Sequence, residues 1–92
     1  MELELRFFAS FREAVGQKTL EWTYEGDAVT ARDLLEELTE EYPGLDVFEP
    51  SGEVRGFVSV MKNGRDITHL DGLDTPYEDG DRLSLFPPVA GG

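Results

Sequence analysis

The chain opens with a strict alternation of apolar and polar residues. In residues 2–8, every second side chain is apolar and belongs to one face: Leu3, Leu5 and Phe7. A period of two is typical of a strand that is buried on one side. Residues 82–86 repeat this pattern, and Leu83 and Leu85 predict the inward face of a last strand.

One segment has apolar residues at helical spacing and predicts the main helix. The residues that share its apolar side are Ala31, Leu34, Leu35, Leu38 and Tyr42. Thr30 is the expected N-cap, Asp33 lies in the favourable first turn, and Pro43 with Gly44 ends the pattern. The acidic opposite side of this helix is expected to be a solvated face without a function.

Shorter signals fill the rest of the chain. Ser10 and Glu13 stand at capping-box spacing before Gly16, which predicts a short helical turn. Residues 18–24 alternate and predict a second strand, with three residues on one face: Leu20, Trp22 and Tyr24. Residues 45–56 have the composition of a loop.

A hairpin is predicted for residues 57–67. Val58 and Val60 point inward, and Asn63-Gly64 suits a type I′ turn. The order of elements is then strand, strand, helix, strand, short strand, strand. It predicts an α+β domain of the β-grasp kind over residues 1–86, a mixed sheet with one main helix packed on one face. Residues 87–92 are predicted to be a flexible C-terminal tail.

The charge is strongly negative, with 20 acidic residues against 8 basic ones and a net charge of −12. Such a surface repels phosphate backbones, so no nucleic-acid partner is expected. The charge either steers the domain to a basic partner or keeps it soluble in concentrated salt, and the scarcity of lysine favours the second explanation. There is no Cys, no leader and no membrane-spanning run, which predicts a soluble cytoplasmic protein without a membrane partner.

Several large apolar residues are predicted to face away from the core. Phe8 follows the inward Phe7, and Phe86 follows the inward Leu85. Phe57 and Met61 flank the inward Val58 and Val60, so they are also predicted to point outward. Apolar groups gathered on one face usually mark a docking site, although edge effects or misjudged registers would scatter them. The predicted partner-binding face consists of four residues: Phe8, Phe57, Met61 and Phe86.

The chain ends in FPPVAGG. A frayed end without consequence is the simplest interpretation. However, Pro87 and Pro88 lack N–H donors and cannot extend a strand ladder, so the residues after Phe86 would leave the sheet and reach about 20 Å from it. Gly91 and Gly92 carry no Cβ and would fit a narrow channel.

Two stretches carry a specific resemblance. Residues 5–16 (LRFFASFREAVG) and 79–92 (DGDRLSLFPPVAGG) resemble the small subunit of molybdopterin synthase and the small archaeal modifier proteins. Both belong to the ubiquitin-like sulfur-carrier group. The match follows the order of elements over the whole chain. The acidic, lysine-poor composition resembles modifiers from salt-loving archaea.

The resemblance implies a function for the tail. Gly92 would be adenylated by an E1-like activating enzyme, with ATP consumed by that enzyme. It would then form an isopeptide with a lysine of a target protein, or a thiocarboxylate. The residues that would thread into the enzyme are Pro87, Pro88, Val89, Ala90 and Gly91. Lys18 and Lys62 are candidate acceptors of another modifier's tail, and the partner-binding face would dock the enzyme. The chain would be a carried reagent and not an enzyme.

Two other functions stay open. One is a dedicated small subunit of molybdopterin synthase, which donates sulfur and whose partner is the large subunit. The other is a non-covalent β-grasp interaction domain with an idle tail. No bound cofactor is expected, because no Gly-rich phosphate loop is present. No metal site is expected either, because the acidic residues between 71 and 81 lack the spacing of a calcium loop. His69 has no partner for catalysis in the sequence pattern.

Overall fold

Within residues 1–88, seven strands form two sheets: β1 (Glu2–Phe7), β2 (Thr19–Thr23), β3 (Val29–Thr30), β4 (Ser59–Lys62), β5 (Arg65–Asp66), β6 (Pro76–Tyr77) and β7 (Arg82–Phe86). The main sheet has the order β2-β1-β7-β4-β5, and β3 pairs with β6 in a separate antiparallel ribbon. Within the main sheet β1 and β7 are parallel, and the other neighbours are antiparallel. This computed structural model describes residues 1–88, so the predicted tail residues 89–92 lie outside it.

The main helix, α2 (Ala31–Glu41), begins and ends close to the predicted positions. The Thr30 side chain accepts a hydrogen bond from the backbone N–H of Asp33 at 3.2 Å, which satisfies one of the unpaired donors of the first turn. The helix buries four residues: Ala31, Leu34, Leu35 and Leu38. It packs across one side of the mixed sheet. The prediction of an α+β, β-grasp fold is confirmed.

The first helix, α1 (Ser10–Val15), departs from its predicted capping. Its N-cap is Ala9, which has a φ of 50°, and no side chain caps the helix. Ser10 is already the first helical residue, so its hydroxyl lies one position too late for a capping box with Glu13. The predicted C-terminus is correct, because Gly16 adopts a left-handed conformation at φ 86° and donates its N–H to the carbonyl of Arg12.

The core extends beyond the elements that the sequence pattern identified. Leu45 and Val47 are buried although their segment has the composition of a loop. Tyr77 of β6 is fully buried, and its hydroxyl donates to the carbonyl of Met61 at 3.1 Å. Burial, with the nearby Asp81 carboxylate as a smaller cause, raises the pKa of the Tyr77 hydroxyl.

Among residues 1–88, no helix combines the length and the apolar character that crossing a membrane requires. The same residues contain no group of three or more His, Cys, Asp or Glu side chains placed to hold a metal ion. His69 is exposed at the end of a short 3-10 turn, Ile67–His69.

Candidate docking face at the root of the C-terminal segment

The parallel pairing of β1 and β7 brings two aromatic rings together. Phe7 of β1 lies opposite Leu85 of β7, so the residues that follow them, Phe8 and Phe86, are also neighbours. Their ring centroids are 4.1 Å apart, and the ring planes differ by only 10°. Because side chains alternate along a strand, Phe7 and Leu85 face α2 while Phe8 and Phe86 face the opposite side of the sheet. We call these two residues the aromatic pair.

The backbone on both sides holds the aromatic pair in place. The carbonyl of Phe8 accepts hydrogen bonds from the N–H groups of Phe11 and Arg12, at 3.1 and 3.4 Å. Phe8 therefore directly follows the last residue of β1 and anchors the start of α1. Phe86 is the last residue of β7 and lies opposite Ser59 of β4. Both rings are half-buried, so each still presents apolar surface to the outside.

Met61 lies on the same face, one layer further along the sheet. It is opposite Ser84, which in turn lies beside Arg6 of β1. Met61 is half-buried, as a residue on an open sheet face is expected to be. Three of the four predicted partner-binding residues therefore share one face of the sheet.

Phe57 is placed differently. It lies in the turn before β4 with a φ of 68°, a left-handed conformation that is rare for a bulky residue. This conformation interrupts the strand alternation, and β4 begins only at Ser59. The Phe57 side chain is 91% exposed, and its residue lies outside the strands of the sheet.

The face becomes charged away from the aromatic pair. Glu4 accepts a hydrogen bond from the Nε of Arg6 at 3.0 Å, and its carboxylate lies 3.8 Å from the guanidinium of Arg82. These side chains are each roughly two-fifths exposed, so the ion pairs are screened by water. The arrangement gives the face an apolar end at the aromatic pair and a polar end beyond Glu4.

The C-terminal segment starts beside the aromatic pair. Pro87 directly follows Phe86 and is buried, whereas Pro88 is exposed. Neither residue has an N–H to donate, so the ladder of β7 stops here. The predicted threading residues Val89, Ala90 and Gly91, and the predicted reactive residue Gly92, lie outside the described residues.

A polar network at the other end of β7 was not expected from the sequence. Asp81 accepts hydrogen bonds from the Asn63 amide at 2.9 Å and from the N–H of Glu78 at 2.8 Å. Asn63 also accepts one from the N–H of Arg82 at 2.8 Å. Burial disfavours the charge on Asp81, but these hydrogen bonds and the nearby Lys62 hold its pKa below the usual range. The network fastens the β4–β5 turn to the turn before β7.

The two candidate acceptor lysines lie in different surroundings. Lys18 is exposed in the segment between α1 and β2. Lys62 is half-buried, and its Nζ lies 3.7 Å from the Asp81 carboxylate. The sequence identified both residues, but it contained no signal for this difference because the ion pair joins residues far apart in the chain.

Comparison with known proteins decides the family. The sequence model of the ThiS family matches residues 5–92, a range that includes the aromatic pair and the diglycine. The chain belongs to the ThiS family. Small archaeal modifier protein 3 of Haloferax volcanii is 56% identical to this ThiS-family chain, and the alignment covers 100% of both. The predicted family is therefore confirmed.

Two further relatives extend the comparison of this ThiS-family chain. Sulfur carrier protein CysO of Mycobacterium tuberculosis is 33% identical over 84% of this chain and 83% of its own. The crystal structure of small archaeal modifier protein 1 from Haloferax volcanii superposes with a TM-score of 0.83, at 34% identity and with complete coverage of both chains. The halophilic composition expected from the sequence fits the Haloferax relatives.

Proposed function

We propose that this chain is a ubiquitin-like protein modifier and sulfur carrier, and that the carboxyl group of Gly92 is its reactive group. The observation that carries the proposal is the aromatic pair at the root of a segment that ends in Gly91-Gly92. Support comes from the relatives, because one that aligns over its full length is a small archaeal modifier and another is a sulfur carrier.

The chemistry requires a second protein. A carboxylate is a poor acyl donor, and this sequence has neither a phosphate-binding loop nor a Cys to hold an acyl group. An E1-like enzyme would supply ATP, the Gly92 carboxylate would attack the α-phosphate, and pyrophosphate would leave. A sulfur nucleophile or a lysine amine would then attack the acyl carbon of the adenylate and release AMP. Because ATP is consumed, we place this chemistry in the cytoplasm.

The aromatic pair supplies the anchor for the activating enzyme. Interfaces concentrate their binding energy in a few central apolar side chains surrounded by weaker contacts. Phe8 and Phe86 are suited to the central position because their rings are held by the sheet and still expose apolar surface. Met61 lies on the same face, and Phe57 is exposed in the turn before β4. The docked face would direct residues 87–92 into the active site of the enzyme.

Conjugation and sulfur transfer are proposed together. A dedicated molybdopterin synthase subunit would need only the thiocarboxylate, with the large subunit as its partner. The relative that is 56% identical over both whole chains is a modifier, which favours the broader function. A non-covalent interaction domain would not need residues 87–92, and the ThiS match includes them.

Adenylation by the host's E1-like enzyme tests the proposal directly. The purified chain, the enzyme and ATP are expected to give pyrophosphate exchange and an intact mass that carries one AMP. A variant that lacks Gly91 and Gly92 should give neither, and its circular dichroism spectrum should match that of the full chain. An unmodified full chain, with an enzyme that adenylates another small modifier in the same buffer, would contradict the proposal.

A further inference from the structure

β2 forms one edge of the main sheet, so one side of its backbone has no neighbouring strand. The pairing of Met1 with Tyr24, which continues the β1–β2 ladder, is hydrogen-bonded in both directions. Such pairs alternate with non-bonded pairs in an antiparallel ladder, so every second residue of β2 points its N–H and C=O groups away from β1. These residues are Thr19, Glu21 and Thr23. No loop or turn within residues 1–88 forms a backbone hydrogen bond with these groups.

The opposite edge of the main sheet is less suited to further pairing. Its strand β5 has only two residues and continues directly into the 3-10 turn Ile67–His69. β2 has five residues and contains neither Pro nor Gly. An exposed strand of this kind can accept an extended segment of another protein as an additional strand, held by main-chain hydrogen bonds.

The side of β2 that faces α2 is apolar. Leu20 and Trp22 are paired with buried residues of β1, so their side chains lie on the same side of the sheet as α2. Both side chains are half-buried and therefore keep some apolar surface in contact with water. The Nε1 of Trp22 donates a hydrogen bond to the Glu37 carboxylate at 3.1 Å, which places this residue of α2 beside the β2 edge.

The part of α2 beside this edge is acidic. Asp33 and Glu41 stand four residues before and after Glu37, so the three carboxylates lie along one line of the helix. All three residues are exposed, and none of them forms an ion pair within residues 1–88. Glu21 adds another carboxylate on β2 itself. The acidic side of α2 was expected from the sequence to have no function, but the fold places part of it next to an unpaired strand.

The charges decide which partner fits the β2 edge. A second copy of the chain also carries a net charge of −12, and antiparallel pairing of two β2 strands about Glu21 would place like charges opposite each other. A segment with Lys or Arg at alternate positions would instead lay its methylene stems over Leu20 and Trp22 and bring its charges to the α2 carboxylates. We propose that the β2 edge binds an extended basic segment of a partner protein as an added antiparallel strand, the more stable of the two pairings.

The β2 edge is separate from the aromatic pair. Phe8 and Phe86 lie on the side of the sheet that faces away from α2, at the boundary of β1 and β7. A basic segment on β2 would leave that face and residues 87–92 uncovered. The chain could therefore hold this partner while an activating enzyme docks, and the β2 interaction does not depend on the proposed function.

The first test uses a short synthetic peptide that alternates Thr and Lys, titrated into the full chain and followed by NMR. The amide signals of Thr19, Glu21 and Thr23 should shift, and their exchange with solvent should slow. With its Lys side chains toward α2, the bound peptide directs the N–H groups of its Thr residues toward β2 and those of its Lys residues away. N-methylation of the Thr amides should therefore weaken binding at least about tenfold, whereas N-methylation of the Lys amides should change it less than about threefold.

The two methylated peptides separate strand pairing from simple attraction between opposite charges. Both carry the same charge, so equal affinities would overturn the proposal. A failure of the unmethylated peptide to bind would overturn it as well. Neither result would affect adenylation of Gly92, which is measured with the activating enzyme and tests the proposed function separately.

The second test reverses one charge beside the edge and one elsewhere. Glu37→Lys should weaken binding of the unmethylated peptide at least about fivefold, because the carboxylate next to Trp22 becomes a cation. Glu13→Lys, at an exposed position of α1, is the matched control and should weaken binding less than about twofold. The NMR spectrum of each free variant reports whether the fold is kept. Equal losses of affinity in the two folded variants would overturn the placement of the partner beside α2.

Discussion

The two ends of β7 have opposite characters. At its start, Arg82 and the preceding Asp81 belong to a network with Asn63 in which each polar group has a partner. At its end, Phe86 stacks on Phe8 and still exposes apolar surface. The first end is satisfied within the chain, whereas the second leaves apolar surface exposed to water. A single strand thus combines an end that stabilises the fold with an end suited to recognition.

The largest expected effect comes from breaking the aromatic pair. Phe86→Ala should lower kcat/KM for adenylation by about 30-fold or more, because truncation of a central interface anchor costs about 2 kcal/mol or more. The free energy of unfolding should fall by only about 1–2 kcal/mol, since the ring is half-buried. Pyrophosphate exchange and urea unfolding measure the two quantities.

Phe57→Ala is the matched control for that variant. Its ring is 91% exposed in a turn, so adenylation should fall by less than about fivefold, as expected for a marginal contact. Stability should change by no more than about 0.5 kcal/mol. If Phe57→Ala were as damaging to adenylation as Phe86→Ala, the aromatic pair would not be the anchor.

At the polar end of β7, a substitution should lower stability and leave adenylation almost unchanged. Asp81→Ala leaves the Asn63 amide and the Glu78 N–H without their acceptor, so the free energy of unfolding should fall by about 2 kcal/mol. Adenylation of the folded variant should stay within about twofold of the original, a difference of no more than about 0.4 kcal/mol. Asp74→Ala, at an exposed position, is the control and should change stability by less than about 0.5 kcal/mol. Equal losses of unfolding free energy in Asp81→Ala and Asp74→Ala would contradict the stabilising role of the polar end of β7.

Acid should weaken the polar end selectively. The pKa of Asp81 in the folded chain is below the ordinary value of 3.8. Its contribution is therefore complete above that ordinary value and is lost as the pH falls through the lowered pKa. The stability difference between the original chain and Asp81→Asn should shrink between about pH 5 and about pH 2, as urea unfolding at each pH would measure. A constant difference would contradict the role of the charged form.

The smallest expected effect lies far from both ends of β7. Thr30→Ala removes the cap of α2 and should cost about 1 kcal/mol of unfolding free energy, with adenylation unchanged. Thr39→Ala is the comparison within the same helix, where the hydroxyl only donates to the carbonyl of Glu36. It should cost less than about 0.5 kcal/mol. Urea unfolding of both variants would show whether the Thr30 cap contributes more to the unfolding free energy than the Thr39 hydroxyl does.

Local patterns predicted the elements that have a clear period or that are bounded by a turn-forming or capping residue. Alternation identified β1 and β7, and therefore also the outward direction of Phe8 and Phe86. The Asn63-Gly64 pair identified the hairpin, and both residues have the positive φ values that its turn requires. Thr30 identified the start of α2. In each case, the controlling interaction lies within a few residues in the sequence.

The features that the sequence did not predict depend on distant residues. The β3–β6 ribbon has only two residues on each side, too few to show a period. The ion pair of Lys62 is formed with Asp81, which is separated from it in the sequence by β5 and β6. The strained turn at Phe57 follows a loop whose Leu45 and Val47 are buried, which no alternation indicated. The burial of Pro87 likewise depends on packing against other parts of the chain, which the local sequence does not show.

The most direct test of the reactive group is tandem mass spectrometry of the intact chain recovered from its own cells. We expect part of the population to carry an oxygen-to-sulfur replacement at the Gly92 carboxyl group, and another part to be joined through Gly92 to lysines of other proteins. Chains that carry neither change at Gly92, in cells whose activating enzyme is present and active, would contradict this expectation.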